Sequence, residues 1–115
     1  MEELDVNNYL VQQNLFDLFK IQLRKDFSSC SLPVDFINDL HADLPHLKAA
    51  VIKELDYLLK NSTQLTNLLY RIDINETQIK NYTDKNKSMG FKEILSELII
   101  KRILQKVILK KKFSS

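Results

Sequence analysis

One glycine, two prolines, one cysteine and no tryptophan occur in 115 residues. The scarcity of glycine excludes most. Phosphate-cradling loops need glycine where backbone must approach a ligand, so P-loop and dinucleotide-binding sites are ruled out. A G-x-S-x-G nucleophile elbow is ruled out on the same ground. Two-residue hairpin turns also favour glycine, which disfavours an all-β sandwich. A lone Cys30 permits no intramolecular disulfide and fits a reducing compartment. It lies among Ser28, Ser29 and Ser31 with no histidine within ten residues, so it reads as an inert thiol. The longest aliphatic run, Leu98-Ile99-Ile100, is too short to span a bilayer. The acidic start, Met1-Glu2-Glu3-Leu4-Asp5, lacks the apolar stretch of a secretory signal, and a cytoplasmic protein is expected.

What is present fits a globular chain: 44% apolar and 28% charged residues. The expected fold is all-α, a single compact domain over residues 1–115 with five to six helices and a long basic C-terminal helix at 91–112. The net charge of +2 is uninformative. Its distribution is not: residues 1–90 carry 10 Lys/Arg against 13 Asp/Glu, and residues 91–115 carry 7 against 2. A basic end suits nucleic acid, an anionic membrane or an acidic partner, and equally suits the dipole of a helix C-terminus.

Apolar spacing places a first helix from about Val6 to Lys25, with Val11, Leu15, Leu18, Phe19 and Leu23 on one face and Asp5 or Asn8 as its cap. Asp26–Leu32 reads as a polar loop. A short helix over Val34–Ala42 follows Pro33, and Pro45 opens a third running to about Lys60. Leu65, Leu68, Leu69 and Ile72 define the next. Asp73 and Glu76 have capping-box spacing, which starts a short helix at Ile74. The expected core is Leu18, Leu47, Val51, Leu55, Leu58, Leu65, Leu68, Leu69, Ile72, Leu95 and Leu98. Four N-x-[ST] sequons, at Asn61, Asn75, Asn81 and Asn86, read as polar turns.

The last helix has an apolar face that turns. Phe91, Ile94, Leu95, Leu98 and Ile99 share one face, while Ile100, Ile103, Leu104 and Val107 centre roughly 170–180° away. Lys101, Arg102, Gln105, Lys106 and Lys110 occupy the side that was apolar before. A break near Ile99–Lys101 would need a glycine or proline that is not there. Burial all round would carry five polar residues into the core. The reading preferred from sequence is that the second half projects, with Ile100, Ile103, Leu104 and Val107 as anchors for a second copy or another helical protein. Coverage of this stripe by another helix of the chain, such as the first, stays open.

No catalytic constellation is visible, and a non-enzymatic protein without a cofactor or small-molecule ligand is expected. Asp39, His41, Asp43 and His46 cluster, but His41 and His46 are five apart with Pro45 between them, which does not match zinc-ligand spacing. Leu68–Tyr82 resembles a helix-turn-helix in the placement of Leu68, Ile72, Ile74, Ile79 and Tyr82. Its second helix would offer Asn75, Thr77, Gln78, Lys80 and Asn81 to base edges, the alternative nucleic-acid reading. Leu69 and Asp73 depart from that motif, which favours a small residue and a glycine there. Attachment to a membrane surface through the basic last helix is the weakest of the three readings.

Overall fold

The structure, a computed structural model, describes residues 5–12 and 14–113. Five α-helices follow one another: α1 (Phe16–Ser29), α2 (Leu44–Leu58), α3 (Ser62–Ile72), α4 (Glu76–Lys85) and α5 (Phe91–Phe113). A π-helical turn at Asn8–Gln12 precedes α1, and a 3-10 turn at Asp35–Asp39 leads into α2. No strand occurs among the described residues. The all-α, one-core architecture expected from composition is the one observed.

The organising element is α5. At about 1.5 Å per residue its 23 residues reach about 34 Å, close to the 38 Å long axis of the molecule. All four other α-helices pack on it. Ile94, Leu95, Leu98 and Ile99 are buried on one side, and Ile100, Ile103, Leu104 and Val107 on the other. The expected projection of the second half is therefore corrected. The apolar face turns because partners of the same chain surround the helix, and both faces join one apolar cluster with Phe19, Leu23, Phe27, Leu47, Val51 and Leu68.

The N-terminal reading is corrected as well. Asp5 does cap the first turn, its carboxylate accepting the Asn8 N–H at 3.1 Å. Yet helix does not run unbroken to Lys25. Asn14 adopts a left-handed φ of 56°, tolerable for asparagine, and α1 begins only at Phe16. This interruption resets the helical phase, so a stripe extrapolated from Val11 fails beyond it. Leu18, placed in the core by that stripe, is 43% exposed, whereas Leu10, left out of it, is buried. At the other end α1 continues to Ser29, turning the supposed loop Asp26–Ser29 into helix and burying Asp26 and Phe27. Leu65 and Leu69 are only half-buried.

Asp43 caps α2, accepting the His46 N–H at 3.0 Å, with Pro45 in the first turn where its missing N–H costs nothing. The α3–α4 corner differs from the expected capping box by two residues. Asp73 takes the left-handed position that ends α3, with φ 74°, where glycine is usual. Its N–H donates to Tyr70 O, and that of Ile74 donates to Leu69 O at 2.8 Å. Burial of Ile74 under the corner keeps that residue out of α4. The box is formed by Asn75 and Gln78, each side chain accepting the other's backbone N–H at 2.9 and 2.8 Å. Asn75→Ala is expected to lower stability by about 1 kcal/mol, read as a fall in the urea midpoint with an unchanged m-value.

Candidate interaction surface

Two polar clusters explain how α5 carries charged residues through the middle of the fold. The first centres on Asp26, whose side chain is fully buried. Its carboxylate accepts from Gln22 Nε2 (3.1 Å), Arg71 Nε (3.2 Å) and Lys106 Nζ (2.9 Å). Lys106 also donates to Arg71 O, and one turn further on Lys110 donates to Gln22. Helices α1, α3 and α5 are thus joined through one carboxylate, with both its oxygens used. Long lysine stems let α5 bury its backbone while the ammonium groups reach the outer helices.

The second cluster joins α2, α4 and α5. Glu97 binds Lys48 at 2.8 Å and accepts from the Tyr82 hydroxyl, and Lys101 donates to the same hydroxyl at 2.8 Å. Burial works to raise the Glu97 carboxyl, but hydrogen bonds from Lys48 and Tyr82 and the charges of Lys48 and Lys101 together outweigh it and hold its pKa below the usual 4.5. A carboxyl depressed in the folded state stabilises fully above its unfolded pKa and loses that contribution as pH falls through the folded value. Stability is therefore expected to decline as pH drops below about 4.5, near the unfolded value for glutamate. Glu97→Gln should flatten that limb of a pH series of thermal midpoints. An unchanged slope in the variant would remove Glu97 as its source.

These clusters sort the remaining charge. The three segments meeting at Asp26 are α1, α3 and the second half of α5. They carry Lys20, Arg24, Lys25, Arg71, Arg102, Lys106, Lys110, Lys111 and Lys112 against Asp17 and Asp26, with Asp73, just past the end of α3, paired to Arg102 at 3.1 Å. The rest of the chain holds the other eight Lys/Arg, of the total of 17, and 13 of the 15 Asp/Glu. The same three segments hold Leu18, Ile21, Tyr70, Leu109 and Phe113, five of the nine exposed large apolar residues among those described.

The residues expected at a site fare differently. Ile100, Ile103, Leu104 and Val107 lie within the core, and an interface built on them would require α5 to leave it. On α4, Thr77, Lys80 and Asn81 are exposed, but Asn75 and Gln78 are joined in the capping box rather than presented outward as a pair. Glu76 and Asp84 are exposed on the same helix. Near α2, His46 Nδ1 lies 2.7 Å from the Asp43 carboxylate and its ring tilts against His41, centroids 4.8 Å apart. The His46 backbone N–H, then its side chain, hold the Asp43 carboxyl below its ordinary pKa. No group of three or more His, Cys, Asp or Glu among the described residues is placed to hold a metal ion.

Cys30 is half-buried beside a shallow cleft of about 470 Å³ lined by Ser29, Cys30, Asn67, Tyr70 and Arg71. Desolvation, against the opposing charge of Arg71 and with that of Asp26, pushes its thiol pKa up, so it carries little thiolate at neutral pH. Reading the sequence residue by residue missed the Asp26 cluster because Asp26 fell in a supposed loop. Its signal was a pair of matched i,i+4 steps, Gln22/Asp26 and Lys106/Lys110.

No family model matches the chain, and comparison with curated proteins and with solved structures finds no match.

Proposed function

We propose that this protein is a non-enzymatic binding module that docks onto an anionic partner through the side built from α1, α3 and the second half of α5. The observation that carries the reading is the charge division just described: nine Lys/Arg and two Asp on those segments, the reverse excess elsewhere. A field of one sign on one side steers and orients an oppositely charged partner, although the net charge is only +2. A lone, unpaired cysteine suits a module working on the cytoplasmic side of a cell.

Retention on immobilised heparin, eluted with a salt gradient, tests this. The wild-type chain is expected to be retained at low salt and released as salt screens the contacts. Lys111→Gln/Lys112→Gln should elute earlier, and Lys85→Gln/Lys87→Gln, on the other side, should not. Flow-through at low salt, or equal shifts for the two pairs, would overturn the reading.

A further inference from the structure

The ladder between α1 and α5 fixes what stands at the free end of the basic side. Lys106 meets Asp26 and Lys110 meets Gln22, so the two helices run antiparallel in steps of one turn. The next step brings Phe113 to the level of Leu18, with Ile21 level with Lys110. Phe113 is 76% exposed, Ile21 61% and Leu18 43%, and Leu109 is exposed one turn before Phe113. Lys111 and Lys112 are exposed in the same turn, where the Lys112 ammonium lies 5.8 Å from the Phe113 ring centre. The one exposed acid of α1, Asp17, sits 3.7 Å from Lys20.

Resting on the anionic-partner reading above, we infer that the partner is the surface of a lipid bilayer carrying acidic headgroups. Phe113, Leu109, Leu18 and Ile21 enter the headgroup layer, with the α5 lysines around them. No helix among the described residues is long and apolar enough to cross a membrane, so the contact lies on the surface. Apolar side chains bracketed by lysines are the composition that binds there, each signal weak and the two together sufficient. Lysine stems lie along the apolar boundary while their ammonium groups stay among the phosphates. A nucleic acid would meet the lysines but has no use for Leu18, Ile21 and Leu109, and among the described residues Phe113 is the one well-exposed aromatic ring at this end, Tyr9 and Phe16 being half-buried.

Flotation of the full chain with phosphatidylcholine vesicles, with and without phosphatidylglycerol, is the test. Binding is expected only where phosphatidylglycerol is present. Lys111→Gln/Lys112→Gln should weaken it about 25-fold, at about fivefold per lysine. Leu109→Ser/Phe113→Ser should weaken it while leaving heparin elution unchanged and the far-ultraviolet circular dichroism helical. Lys85→Gln/Lys87→Gln should bind as wild type. Retention on heparin without vesicle binding would overturn the lipid inference and leave the anionic-partner reading standing, whereas failure on both removes both. Equal binding to neutral vesicles overturns the inference too, as does a solution dimer that Ile21→Glu splits in the absence of any vesicle binding.

Discussion

Ile103→Glu is expected to abolish cooperative folding. Ile103 is fully buried, next in sequence to buried Leu104 and one turn from buried Ile99, Ile100 and Val107. Losing the isoleucine contacts costs about 2–5 kcal/mol by comparison with large-to-small core changes. Bringing an unpaired carboxylate out of water adds several more. Domains of this size have about 5–15 kcal/mol in all, so the variant should show no sigmoidal urea transition and little near-ultraviolet circular dichroism. An α5 whose second half projected from the fold would tolerate the same change, splitting a dimer and leaving the melt of the monomer intact. Ile103→Val, expected to lower stability by about 0.5–1.5 kcal/mol, supplies a variant that still folds and whose urea midpoint can be read.

Asp26→Ala should produce the second-largest loss, about 3 kcal/mol, at the lower end of what removing one partner from a buried ion pair costs. The lower end applies because Arg71, with 43% of its side chain exposed, can turn to solvent, whereas Lys106, at 18%, has less freedom to do so. Gln22 would lose its acceptor as well. A double-mutant cycle with Lys106→Met separates the pair from the rest. The double variant should be more stable than the sum of the single losses implies, because it no longer leaves a cation without its carboxylate. Strict additivity would show that Asp26 and Lys106 do not act together.

Much of the fold was legible from residue type and spacing. The apolar residues Leu47, Val51, Leu55 and Leu58 of α2, the cap at Asp5 and the start of α5 near Phe91 all follow local rules, and the structure agrees with them. The errors came where a local rule competed with tertiary contact. The break at Asn14 has no sequence mark beyond an asparagine, so the stripe was carried through it and Leu18 was misplaced. Burial of Ile74 moved the capping box from Asp73 and Glu76 to Asn75 and Gln78. The apolar face of α5 does turn, as its spacing indicates, but it turns inside the fold. Five polar residues argue against an enclosed helix only if they lack partners, and Lys101, Arg102, Lys106 and Lys110 each find one on an outer element. Pairwise polar contact across eighty residues of chain leaves little local trace. The apolar end of α1 beside Phe113 likewise depends on the antiparallel register of α1 and α5, which no local spacing encodes.

That the common packing partner is the last of the five helices has a consequence for biosynthesis. Until residues 91–113 have left the ribosome, α1 to α4 have no spine to close upon, and Phe19, Leu23, Leu47, Val51 and Leu68 remain in contact with water or with each other. Domains generally fold as units as the chain is made. Here the full core can close only once α5 is available, because all four other α-helices pack on it. A nascent chain stalled before residue 91 would be a sticky, unfinished species, and a chaperone would meet it with most of its future interior on display.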